Sequence, residues 1–301
     1  VLGADGVMKF NGHTEAMNTQ DFDIFSSLGI PYRAPFSFSW KGEGKVGQLD
    51  QTLVSQLDSH LGSGVIRNYQ VPPSEFHLST GHGRMNITTS ILGGQGAGKF
   101  DMGLRPGDHS TMEIVAEKLD FRPALFSLNT SLIDDPTFKT ELTVHSKVSY
   151  NSGNLKRLSG NLSLGSFLLQ KQGYSLVLTK PVSVDFKDGD YQFEGVQFSG
   201  EQNNILMRGR CLNGKLDYSI TGNVGVKISE FFVQEILTAT GIAQLDAKIL
   251  GNVDNPVFKA TVNEPSADIR LRSMEQPFEA LRFRAEWEDR CEIYHYNSLY
   301  L

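Results

Sequence analysis

The sequence predicts an all-β chain that folds as an elongated, open antiparallel sheet with one apolar face. Three observations carry that expectation. Apolar and polar residues alternate with period two along most of the chain. Short turn signals separate the alternating runs, which suits hairpin-connected neighbours. The 301 residues include 30 Gly and 19 Phe, a bias toward turns and strands rather than helices.

Taken in order, the first clear strand is Phe36-Ser37-Phe38-Ser39-Trp40-Lys41, with Phe36, Phe38 and Trp40 on one face. Leu49, Leu53, Leu57 and Leu61 then recur every fourth residue before Gly62, which predicts a three-turn amphipathic helix. The run Gly93-Gly94-Gln95-Gly96-Ala97-Gly98-Lys99-Phe100 has phosphate-loop spacing as far as the lysine. Phe100 stands where a magnesium-binding hydroxyl is needed, and Lys99 to Leu104 alternates, so a Gly-rich hairpin is expected. From Glu141 to Tyr150 the alternation is strict: Leu142, Val144, Val148 and Tyr150 face one way, and Glu141, Thr143, His145, Lys147 and Ser149 the other.

The next unit reads Val182, Val184 and Phe186, a turn at Lys187-Asp188-Gly189-Asp190, then Tyr191 and Phe193, and finally Val196 and Phe198. Gly195 shifts the parity and predicts a bulge. A second helix is expected over Ser229 to Leu237, with Ser229 as N-cap, Glu230 as an early acid, and Phe232, Val233, Ile236 and Leu237 on one face. Alternation returns at Ala267 to Leu271, placing Ile269 and Leu271 inward, and at Leu281 to Trp287, placing Leu281 and Phe283 inward. The inward-facing set is therefore Phe36, Phe38, Trp40, Leu142, Val144, Val148, Val182, Val184, Phe186, Tyr191, Phe193, Val196, Phe198, Ile269, Leu271, Leu281 and Phe283.

Charge and motifs narrow the function. A net charge of −6 with no basic run argues against nucleic acid. The seven histidines, His13, His60, His77, His82, His109, His145 and His295, show no metal-ligand spacing, so no metal is expected. No GxSxG elbow is present, and Cys211 and Cys291 lack a CxxC context; whether they pair stays open. Asp134-Asp135-Pro136 and Asp188/Asp190 sit in turn contexts rather than as an acid–base pair. The expectation is no catalytic residue, no cofactor and no enzyme activity. The chain opens on Val1-Leu2-Gly3 and its apolar stretches fall well short of the roughly 20 residues that span a bilayer. It is read as a single β segment over 1–301 of a longer protein, with a soft subdivision near 155–160 and membrane contact through segments outside it.

From about Gly160 onward the order of features resembles the TamB family, periplasmic members of the AsmA-like superfamily of bridge-like lipid transfer proteins. The elements are a strand pair Leu162-Ser163-Leu164 and Phe167-Leu168-Leu169, the Gly173 turn, Lys180 to Val184, Tyr191 to Gly200, Asn204 to Gly209, Leu216 to Gly222, the helix near Phe231 and Thr240 to Ile249. The turn Leu250-Gly251-Asn252-Val253-Asp254-Asn255-Pro256-Val257-Phe258-Lys259-Ala260 is similar to the family's recurring Gly/Pro turn, with Asn252, Val253 and Ala260 departing from it. Pro277 to Phe283 and Glu292-Ile293-Tyr294 follow. The resemblance implies a rolled, taco-shaped β sheet with a continuous hydrophobic interior groove. It also implies the periplasm of a diderm bacterium, a parent anchored in the inner membrane, phospholipid or another acyl-chain lipid as cargo, and an outer-membrane barrel partner (TamA-like). Four readings follow: a lipid conduit, a scaffold that assembles outer-membrane proteins by β-augmentation, a closed β sandwich or solenoid whose apolar face is core, and a polysaccharide-acting enzyme.

Overall fold

The computed structural model describes residues 3, 6–19, 32–48, 52–126, 129–288 and 290–295. Among the described residues the chain is mostly β, in one large antiparallel sheet that is not closed into a barrel and carries two short helices. Nearly every connection is a hairpin, as the closely spaced turn signals require. The chain divides into two compact units: residues Val1–Pro123, Leu142–Ser163 and Phe186–Asp188 form the first, and Ala124–Glu141, Leu164–Asp185 and Gly189–Leu301 the second.

In unit 1, β1 (Val7–Asn18), β3 (Pro35–Lys45), β4 (Val54–Leu61), β7 (Ser74–Gly81), β8 (Arg84–Ile91), β9 (Gly96–Gly103) and β10 (His109–Leu119) pair in a meander, and β10 continues onto β11 (Lys139–Asn151). A small second sheet joins β2 (Tyr32–Arg33), β5 (Gly64–Ile66) and β6 (Tyr69–Val71). The Gly-rich segment is a hairpin: β8 and β9 pair from Ile91↔Gly96 outward around a 3-10 turn at Leu92–Gly94.

One expectation fails here. Val54–Leu61 is a strand, hydrogen-bonded to β3 on one side and β7 on the other, and not a helix; Leu49 to Gln51 lie outside the described residues. A four-residue spacing is an even number, so it puts Leu57 and Leu61 on one face of a strand as well as on one side of a helix. Two waiting neighbours settled the choice.

Unit 2 contains the end of β12 (Asn154–Lys171), then β13 (Tyr174–Leu178), β14 (Val182–Phe186) as far as Asp185, β15 (Tyr191–Gly200), β16 (Asn203–Leu212), β17 (Lys215–Gly225), β18 (Ile236–Thr240), β19 (Ile242–Asn252), β20 (Asn255–Leu271), β21 (Phe278–Glu288) and β22 (Arg290–His295). The Asn213-Gly214 turn has φ of 51° and 73°, the left-handed pair that a two-residue hairpin needs. The pairing of β15 with β16 slips between Phe193 and Val196, and Gly195 sits at the slip with φ of 72°, a bulge as its parity shift predicts.

Two further expectations need correction. Leu162-Ser163-Leu164 and Phe167-Leu168-Leu169 are not a strand pair but successive parts of the single strand β12. The second helix is one turn, α2 (Ser229–Phe232), and Ile236 and Leu237 already belong to β18. Its inward residue is Phe231, whereas Phe232 and Val233 are exposed; the Ser229 hydroxyl donates to the Val226 carbonyl instead of capping. β18 pairs with the far end of β20, and that long-range ladder outcompetes further helical turns.

The largest fully buried apolar side chains all sit in unit 2: Tyr174, Phe126, Phe138, Phe231 and Leu132. Phe126 closes the short helix α1 (Arg122–Phe126), and Leu132 lies in a 3-10 turn at Thr130–Asp134.

Candidate functional site

Directly opposed residues on neighbouring strands share a face, so the register shows what each face carries. In unit 2 one face holds continuous apolar rungs. One runs Val196, Met207, Ile220, Ala247, Ala260 and Trp287; the next runs Phe198, Ile205, Gly222, Leu245, Val262 and Ala285. A third runs Phe193, Gly209, Tyr218, Ile249 and Phe258. Gly209 is bare where two rings close over the strand: a Cβ there would lie 2.2 Å from the Tyr218 ring and 2.9 Å from that of Phe193. The opposite face carries Arg208, Ser219, Lys248, Lys259 and Glu288 in one rung. These rungs are covered incompletely, with Phe258 47% and Trp287 52% exposed.

Unit 1 repeats the arrangement. Gly12, Trp40, Leu57, Leu78, Ile87, Phe100, Met112 and Val148 form one rung across eight strands. Trp40 lies over Gly12, whose added Cβ would meet the indole nitrogen at 2.0 Å, and packs on Phe10 with ring centroids 5.4 Å apart. The reverse face holds His13, Ser39, Asp58, His77, Thr88, Lys99, Glu113 and Lys147. There His77 Nδ1 and Asp58 Oδ1 are 2.7 Å apart, a hydrogen bond that holds the Asp58 carboxyl below its usual range.

The apolar face of unit 2 has a cap along one margin. Tyr174, Leu176 and Leu178 are buried at alternate positions of β13, and Leu178 opposes Phe198, so they continue the apolar face. Phe231 from α2 packs on Tyr174 at 5.3 Å and on Phe138 at 5.5 Å, and Phe138 packs on Phe126 at 6.4 Å. Burial pushes the Tyr174 phenol up to about 12. Polar groups tie the cap down: Asn129 Nδ2 donates to the Glu230 carbonyl at 2.6 Å, Glu230 Oε1 accepts from the Ala239 N–H at 2.9 Å, and Lys171 Nζ donates to Glu230 Oε2 at 2.8 Å. Beside it, Val226, Ala239, Ala243 and Ala267 form a small core with Ile236, Val262, Ile269 and Leu281 against it.

The structure distributes the inward candidates over both units. Phe36, Phe38, Leu142 and Val144 are half-buried, Val148 is buried and Trp40 is exposed in unit 1, where Phe186 is half-buried. In unit 2, Val184 and Val196 are buried, and Val182, Tyr191, Phe193, Phe198, Ile269, Leu271, Leu281 and Phe283 are half-buried. The pattern of alternation did not reveal the cap residues Phe126, Asn129, Leu132, Phe138 and Lys171. For Phe126, Asn129 and Leu132 one signal exists: from Asp120 to Pro136 the alternation lapses, and Pro123, Asn129 and Pro136 punctuate the gap.

Among the described residues no group of three or more His, Cys, Asp or Glu is placed to hold a metal ion. Cys211 is a buried free thiol, raised by burial and by nearby Asp190. No helix among the described residues is long and apolar enough to cross a membrane. What fold and site define is a class: an open antiparallel β meander with apolar rungs along one face and a polar reverse face. Comparison with protein-family models, curated proteins and solved structures finds no match to this chain.

Proposed function

We propose that this chain is a segment of a lipid conduit, in which acyl chains of phospholipid lie along the apolar rungs while headgroups stay in water. The single observation that supports it is the half-covered apolar face, which runs unbroken across six strands of unit 2 from Val196 to Trp287. Strands spaced about 4.8 Å apart make that rung about 24 Å long. Apolar surface left in water costs about 25 cal/mol for each Å², and an acyl chain offers matching surface at about 0.8 kcal/mol per buried CH₂. Sliding along such a face needs no covalent step. The resemblance to the TamB family extends this reading to a groove within a rolled sheet, in the periplasm, with a barrel partner in the outer membrane.

Parity tests it. Photo-crosslinking side chains placed at Val144, Val148, Phe193 and Ile220 are expected to capture lipid, and those at Thr143, Lys147, Glu194 and Ser219 are not. Equal capture at both parities would remove the apolar face as the path. Global unfolding on Val144→Asp would favour a packed core instead.

A further inference from the structure

Resting on that conduit reading, we propose that the cap of unit 2 is a latch which the phosphate of an incoming phospholipid opens by displacing Glu230 from Lys171. Three observations lead there. First, Lys171 projects from the apolar face: it opposes Tyr174, and Leu169 opposes Leu176, all on the side that carries Phe198. A cation set among apolar side chains requires a counter-ion. Second, that counter-ion comes from the cap and not from the sheet. The Glu230 side chain is 4% exposed and the Lys171 side chain 19%, with Nζ and Oε2 2.8 Å apart. The ammonium also lies 5.9 Å from the centre of the Phe231 ring. Third, the other carboxylate oxygen of Glu230 holds the N–H of Ala239 within β18, so one side chain ties α2 both to Lys171 and to the strand that follows it.

A phosphate diester or monoester is a chemically equivalent anion for Lys171. An acyl chain lying on the rungs of Phe198 and Val196 carries its headgroup to the margin where the cap sits. When phosphate takes Lys171, Glu230 is left as an unpaired buried carboxylate, which is strongly disfavoured. Swinging α2 outward returns that carboxylate to water and takes Phe231 off Tyr174.

The test is hydrogen exchange of residues 226–240 in the full chain, with a photo-crosslinker at Ile220 reporting occupancy. Short-chain phosphatidic acid is expected to bind and to raise exchange of the Ser229 to Ala239 amides at least tenfold. Diacylglycerol with the same chains is expected to bind without that rise, and inorganic phosphate to leave exchange unchanged. In Lys171→Met/Glu230→Gln, where no ion pair exists to exchange, phosphatidic acid is expected to be captured with no rise. Capture of phosphatidic acid with a silent cap, or an equal rise with diacylglycerol, would overturn the latch and leave the conduit standing. A rise with inorganic phosphate alone would overturn the lipid assignment. Failure of both lipids to reach Ile220 would remove the conduit reading itself.

Discussion

In unit 1 the large side chains of the apolar face, among them Phe38, Phe76 and Phe100, stay half-buried, and Trp40 is 42% exposed. In unit 2 Phe138 and Phe231 reach 0% and Tyr174 1%. The strands themselves do not account for the difference, since both units carry aromatic and aliphatic rungs at the same alternating positions. What differs is the kind of segment outside the large sheet: unit 1 adds the small sheet of β2, β5 and β6, which buries Ile66 and Val71, whereas in unit 2 Phe126, the 3-10 turn at Thr130–Asp134 and α2 supply large side chains that reach full burial. A meander presents an apolar face but cannot cover it, because its alternate residues all point out from that one face and none folds back over it. Cover must come from elsewhere in the chain or from a ligand.

The comparison can be broken most directly in the cap. Phe231→Ala is expected to cost about 3–5 kcal/mol in urea unfolding, the range for a fully buried aromatic. Phe76→Ala, on the half-buried face of unit 1, is expected to cost about 1–2 kcal/mol, since less surface is withdrawn from water. Equal losses would show that the two faces are packed alike.

Close behind comes the buried ion pair. Lys171→Met leaves Glu230 buried without a cation and is expected to cost about 3 kcal/mol. Adding Glu230→Gln is expected to recover most of that loss, bringing the double variant within about 1 kcal/mol of the parent. A double variant as unstable as the single one would assign the cost to packing rather than to charge.

Alkaline titration gives a smaller effect with a defined sign. Tyr174 ionises near 10 in the unfolded chain and at about 12 when folded. A raised folded pKa contributes stability that is fully present below the unfolded value and is lost as pH rises through the folded one. Unit 2 is therefore expected to lose about 2 kcal/mol between roughly pH 10 and 12 through this residue. In Tyr174→Phe that part of the loss is absent; an unchanged alkaline limb would show that the phenol does not titrate as placed.

The smallest effect belongs to the polar face of unit 1. Asp58 has its pKa lowered by His77, so its contribution is present above the ordinary value of 3.8 and is lost as pH falls through the lower folded value. Both side chains are substantially exposed, and Asp58→Asn is expected to change stability by only a few tenths of a kcal/mol. A midpoint in acid that shifts strongly would mean the pair is more shielded than its exposure indicates.

Local pattern by itself determined the strands over Phe36 to Lys41, Glu141 to Tyr150, Val182 to Phe186 and Leu281 to Trp287, the tight turns and the Gly195 bulge. Each of these follows from side-chain direction and backbone sterics within a few residues. Period alone could not decide Val54–Leu61, because four-residue spacing serves a strand and a helix equally, and only the flanking β3 and β7 made it a strand. Nor could it find the cap, whose ties join residues far apart in sequence: Asn129 to Glu230 across 101 positions, and Lys171 to Glu230 across 59. Such pairs leave no local period. Tertiary structure decided them, because a buried charge or amide is stable only where the fold brings its partner within hydrogen-bond reach.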